Sequence, residues 1–185
     1  MRERGKATLS MAGSLLLAHP TMRDPNFHRT VVMLSAHGED GAMGLVLNRP
    51  MRKLLGELNA EFAASSLAGV PIYKGGPVQT EQLILAAWQQ DPFGDGFKLY
   101  FGIDANKAEA LQNEDGVRLR AFLGYSGWTK GQLENELLHN TWVVTPVIAE
   151  LIDREDGQGL WRAILGSLSP EWKLLAGEPE DPGAN

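Results

Sequence analysis

Two apolar runs divided by a short turn constrain this chain most. Thr30-Val-Val-Met-Leu-Ser-Ala36 and Met43-Gly-Leu-Val-Leu-Asn48 lack the polar alternation of a strand with one face in water, and Gly38-Glu-Asp-Gly41 lies between them. Such runs form strands covered on both faces. The glycines and acidic residues of the turn suit positive φ, which closes the runs into an antiparallel hairpin. The pair therefore belongs to a sheet that is packed on two sides or curled on itself.

The rest of the chain reads as strands first and helices later. A strand over 13–18 leads into a loop through Pro20 and Pro25, and a short amphipathic helix is expected near 53–63. Further strands are expected ending at Lys74-Gly-Gly-Pro77 and over 82–88, 98–102 and 117–123, with a helix from Asp104, its N-cap, to about Asn113. Beyond Gly124 the chain reads as largely helical: 130–139, a helix opened by Thr145-Pro146 as N-cap and N1, and a last helix near 158–166. In that last helix Trp161, Ile164, Leu165 and Leu168 share one face. This order predicts an α+β fold rather than a doubly wound parallel sheet. One domain over 13–176 is expected, after a poorly ordered lead-in, 1–12, and before a disordered tail, 177–185.

Composition removes several function classes. The formal charge is −6, with Lys and Arg scattered, so no basic stripe exists to neutralise phosphates and direct nucleic-acid binding is disfavoured. No cysteine is present, which excludes thiolate chemistry and fits a reducing, cytoplasmic compartment. The apolar stretch after the charged N-terminus is too short for a secretion signal, and no window is long enough to span a membrane.

The segment Gly124-Tyr-Ser-Gly-Trp-Thr-Lys-Gly-Gln-Leu-Glu-Asn-Glu136 is the most informative for function. Thr129 and Gln132 have the spacing of a capping box, and Trp128 and Leu133 that of a hydrophobic staple, so helix-start grammar accounts for all four. It does not account for Glu134. At 100° per residue Glu134 falls inside an arc made by Leu133, Leu137 and Leu138, where a carboxylate needs a partner, with Arg49 or Arg29 expected in that role. Glu136 falls at the edge of the arc, beside Gln132 and Asn140.

Other constellations are weaker. His19, Asp24, His28 and His37 are metal-ligand types, but they lie on different elements without ligand spacing, so neither a metal nor another cofactor is expected. His37 reads as a hydrogen-bonded structural histidine. Ser126 departs from a nucleophile elbow by one residue, and Gly75-Gly76 reads as a tight turn rather than a phosphate loop. Arg49, after Asn48, suits either an anion clamp or a strand-end ion pair.

Taken together, Gly13-Ser-Leu-Leu-Leu-Ala-His-Pro-Thr-Met-Arg-Asp-Pro-Asn-Phe27, Gly41-Ala-Met-Gly-Leu-Val-Leu-Asn-Arg-Pro50, Gly75-Gly-Pro-Val78 and the 124–136 segment resemble the AlgH/YqgE family, in order and in spacing. The resemblance implies a bifurcated, mainly antiparallel sheet curled into a pseudo-barrel, flanked by helices concentrated in the C-terminal third. It carries a label of transcriptional regulator and implies no enzyme activity. It also hints at a partner, because members often lie beside a gene resembling a Holliday-junction resolvase. Ser35-Ala36 stands where many relatives have a cysteine, so a redox role through that residue does not extend to this chain.

The expected function is an interaction or regulatory module without a catalytic residue, binding a protein or small-molecule partner. Its expected surface comprises Asp24, His37, Asn48, Arg49, Tyr125, Gln132, Glu134 and Glu136. The alternatives are a DNA-associated regulator and an enzyme with Glu134 or His37 as general base.

Overall fold

The computed structural model describes residues 10–179 except 92, 95, 155 and 156. The hairpin forms as expected. β1 (Leu15–Ala18), β2 (Val31–Gly38) and β3 (Gly41–Val46) are consecutive antiparallel neighbours, and β9 (Trp142–Thr145) pairs with the other edge of β1. Both faces are buried. Leu15, Leu17, Val31 and Met33 pack with Leu160, Trp161, Ile164 and Leu165 of α6 (Gly157–Leu168), while Leu16, Ala18, Val32 and Leu34 pack with Trp128, Trp142 and Leu133. Leu168 lies outside the buried face of α6.

β8 (Val117–Thr129) organises the sheet, because its pairing changes along its length. Residues 121–123 pair in parallel with β5 (Pro71–Lys74), residues 117–123 pair antiparallel with β6 (Val78–Gln90), and residues 126–129 pair antiparallel with β3. β4 (Pro50–Leu54) extends the β5 limb and β7 (Phe97–Ile103) extends β6. The sheet is thus bifurcated at β8, and it curls into a half-barrel.

Glycine makes the fork possible. Gly75 N–H donates to the Leu123 carbonyl and the Gly75 carbonyl accepts from Val46 N–H, so this residue carries pairing from β8 to β3. A Cβ on Gly76 would stand 2.2 Å from the Tyr125 carbonyl oxygen, and one on Gly124, at φ +73°, 2.6 Å from that of Gly76. Gly75-Gly76 is therefore a crossing of two backbones rather than a simple tight turn.

Several elements differ from expectation. The helix near 53–63 is β4 followed by two single turns, α1 (Leu55–Leu58) and α2 (Ala60–Ala63), because extended Asn59 ends the first and caps the second through Glu61 N–H. β8 continues past Gly124, whose positive φ reads locally as a stop but serves the crossing. Thr145 ends β9, and α5 (Ala149–Arg154) starts after Pro146 rather than at it. α7 (Pro170–Ala176) is an addition to the expected elements, although Ser169 caps it by accepting from Trp172 N–H, with Pro170 following. Asp104 does cap α3 (Ala105–Gln112), through Lys107 N–H.

The expected lead-in lies outside the described residues as far as residue 9, and the expected tail does so from residue 180. Between those limits both ends are held: Ser10 Oγ donates to the His37 carbonyl, and Arg29 Nη2 to that of Glu178. Among the described residues no helix is long and apolar enough to cross a membrane.

Gly124→Ala and Gly76→Ala should each lower the unfolding free energy by roughly 2 kcal/mol or more, as left-handed strain combines with a backbone collision. Gly116 is the control, with φ +74° and open space within 4 Å of the point a Cβ would occupy. Gly116→Ala should cost about 1 kcal/mol. Equal losses at all three positions in urea titrations would refute the crossing as the cause.

Candidate functional site

The 124–136 segment folds as a strand end, a turn and a helix. β8 stops at Thr129, and Gly131, at φ +75°, takes the N-cap position of α4 (Gln132–Leu138) in place of the expected Thr129. Half of the capping box survives, because Gln132 Oε1 accepts from Thr129 N–H at 3.0 Å. Trp128 and Leu133 pack in one cluster, as a staple would.

Glu136 lies under this cluster and ties it together. Its Oε2 accepts from Trp128 Nε1 at 2.8 Å and Trp142 Nε1 at 2.9 Å, and its Oε1 from Gln132 Nε2 at 3.2 Å. The two indoles meet edge to face with centroids 6.0 Å apart, and Phe27 stacks on Trp128 and sits edge-on to Trp142. One carboxylate thus joins β8, β9 and, through Phe27, the loop of residues 19–30. Each charge-assisted bond contributes about 1.5–3 kcal/mol.

Glu134 has a partner, but it is His37 rather than Arg49 or Arg29. His37 Nε2 stands 2.6 Å from Glu134 Oε1, with the His37 side chain 1% exposed and that of Glu134 36%. Met11 N–H points at Nδ1 at 3.0 Å, so that nitrogen presents its lone pair and Nε2 carries the hydrogen given to Glu134. The contact is an imidazole N–H donating to a carboxylate. The His37 bond, aided by the backbone N–H of Glu134 and opposed by burial, holds the Glu134 carboxyl below its ordinary value. Glu134 is only half-buried, because Leu138 is 81% exposed and the expected apolar arc ends at Leu137.

Asn48 and Arg49 hold the 19–30 loop from below. Buried Asn48 accepts from Val31 N–H and donates to the carbonyls of Arg29 and Gly157, all at 2.9 Å. Arg49 Nη2 donates to the carbonyls of Pro25 and His28, at 2.9 and 3.2 Å. Burial lowers the Arg49 pKa and Asp24 opposes that shift. Asp24 turns the loop itself, accepting from Asn26 N–H on Oδ1 and from Phe27 and His28 N–H on its carbonyl. Thr21, Arg23, Asp24, Pro25 and Asn26 are exposed.

Seven of the eight expected site residues therefore fall into three linked groups: His37 with Glu134, Gln132 with Glu136, and Asn48 and Arg49 beneath Asp24. Tyr125 is apart from them, packed against the cluster on the other face of the sheet. Ser126 is buried and donates to the Gly75 carbonyl, which leaves no exposed hydroxyl for a nucleophile. Sequence reasoning missed Arg120, buried between the rings of Tyr73 and Trp88 at 4.3 and 4.8 Å and donating to the carbonyls of Leu47 and Ile152. Its only sequence signal is an arginine inside a run that otherwise reads as core strand.

The AlgH-like family model, DUF179, matches residues 15–173. The chain belongs to the AlgH-like family. It is 37% identical to a UPF0301 protein of Parabacteroides distasonis, over 96% of this chain and 92% of that one. It is 34% identical to a UPF0301 protein of Bacteroides fragilis, over 94% and 90%. The solution structure of AlgH from Pseudomonas aeruginosa superposes with a TM-score of 0.65 at 28% identity, over 98% of this chain and all of that one. A crystal structure from Corynebacterium diphtheriae shares the fold, with a TM-score of 0.69 at 20% identity over 96% and 95%.

Two measurements check the AlgH-like site. Glu136→Ala should lower stability by about 4–5 kcal/mol and Glu136→Gln by about half as much, since the amide keeps one acceptor oxygen. Urea unfolding followed by tryptophan emission reads both, and equal effects would remove the charge from the account. Glu134 has a folded pKa below its ordinary 4.5, so its contribution is present above that value and lost as pH falls through the folded one. Glu134→Gln should therefore destabilise at neutral pH by at most about 1 kcal/mol, the scale of a solvent-screened pair. The difference from wild type should close in acid; a gap constant across the titration would assign the loss to packing.

Proposed function

We propose that the protein is a cytoplasmic binding module rather than an enzyme, and that its recognition element is the 19–30 loop. The observation that carries this reading is how the loop is held. Phe27 is gripped by the Trp128–Trp142 pair that Glu136 fixes, and the carbonyls of Pro25 and His28 by Arg49, while Thr21, Arg23, Asp24, Pro25 and Asn26 stand exposed. An exposed loop on a rigid frame is the usual arrangement for binding.

The general-base reading has less support. A carboxylate held low by a hydrogen bond is a weak base at neutral pH, and both His37 ring nitrogens are engaged by the protein itself. The regulator label is compatible with a binding module that meets a protein or small-molecule partner.

Immobilised wild type should retain a protein or small molecule from a bacterial lysate, read by mass spectrometry. Changing two exposed side chains, Arg23→Ala with Asn26→Ala, should abolish retention without moving the melting temperature. Retention that survives this double change but is lost in Glu134→Ala would transfer the surface to α4.

A further inference from the structure

Beneath the 19–30 loop, between it and the end of α7, lies a cleft of about 500 Å³. Three arginines line it, Arg23, Arg29 and Arg49, together with Glu178, and Asp24 on the loop acts on the Arg49 charge. In a chain of net charge −6, three arginines beside two carboxylates form a local gathering of positive charge. A concave site concentrates the field of its charges on whatever enters it.

Arg49 has the geometry of an anion ligand. Its Nη2 is committed to two loop carbonyls, which fixes the plane of the guanidinium, while Nε and Nη1 make no hydrogen bond to the described residues. Its charge is partly desolvated, which lowers its pKa. A planar fork held on one side and open on the other suits a bidentate oxyanion. Arg23 stands exposed at the mouth of the same cleft. Met22, Pro25 and Leu175 add apolar wall, so the cleft fits an organic body as well as a charged head.

We propose that this cleft binds a small organic oxyanion, its carboxylate or phosphate head on Arg49 and Arg23 and its apolar body against Met22, Pro25 and Leu175. The inference deepens the binding-module reading and rests on the 19–30 loop being the recognition element. Carboxylate and phosphate share the chemistry that Arg49 recognises, and the probes below separate them.

The test titrates the full chain with benzoate, phenyl phosphate and neutral benzyl alcohol, followed by amide and arginine Nε–H chemical shifts. At least one of the two anions should saturate with a Kd below about 1 mM, moving signals of residues 20–29, Arg49 and 175–179, and benzyl alcohol should not. The stronger anion identifies the head group. Arg49→Ala should weaken binding about tenfold or more, as expected for loss of a bidentate contact. Because that change also releases the loop, Arg23→Ala, at an exposed position, should independently weaken binding about threefold or more while the spectrum stays folded.

No saturation by either anion in the folded wild type overturns the proposal, as does undiminished binding by both variants or equal binding of benzyl alcohol. The two readings fail separately. Probes that saturate while nothing is retained through the loop refute the recognition element and leave the anion site standing. Loop-dependent retention without probe binding refutes the anion site alone.

Discussion

Two backbones cross between Gly75-Gly76 and Gly124, and the architecture depends on that approach. A strand normally keeps the same neighbours along its length, because any change of partner leaves N–H and carbonyl groups without bonds. Here β8 passes from β5 to β3 without such a gap, since Gly75 bonds to Leu123 on one side and Val46 on the other. No side chain fits between the crossing backbones, so the glycines are fixed by space rather than by flexibility alone. The limb carrying β1, β2, β3 and β9 and the limb carrying β4 and β5 can then curve away from one another around a shared core.

The polar residues of the family motif serve this frame. Glu136 holds two indole N–H groups, Asn48 ties β2 to the start of α6, and His37 links Met11 to Glu134. Each is a buried or half-buried polar group with its bonding satisfied, as the cost of leaving such groups unpaired requires. Prominence in sequence thus marks structural work at most of these positions. What remains outward is the loop that they secure.

The sequence revealed what depends on local pattern. The uninterrupted apolar runs of β2 and β3 announced a sheet buried on both faces, and Asp104 announced the start of α3. The partner of Glu134 was misjudged because a helical projection places residues around one axis and says nothing of what lies across from it. Leu138 looked like part of the buried arc, yet it stands 81% exposed, and His37 reaches Glu134 from a strand nearly a hundred residues earlier. The continuation of β8 and the existence of β9 were hidden for the same reason: both depend on pairing with β3 and β1, and a glycine followed by polar residues looks locally like an ending. The cleft was illegible too, since Arg23, Arg49 and Leu175 are brought together only by the tertiary fold.

The pairing of β1 with β9 bears on how the chain is made. β1 spans Leu15–Ala18 and lies between β2 and a strand at Trp142–Thr145, and the Ala18 carbonyl accepts from Trp161 Nε1. During synthesis the first strand therefore emerges long before its second neighbour and the helix that covers it. Until then its apolar face has no lasting cover. Contacts of such sequence separation slow folding, and an uncovered strand edge invites association with other chains in the interval. Completion of this sheet must wait until Trp142–Thr145 and Trp161 have left the ribosome.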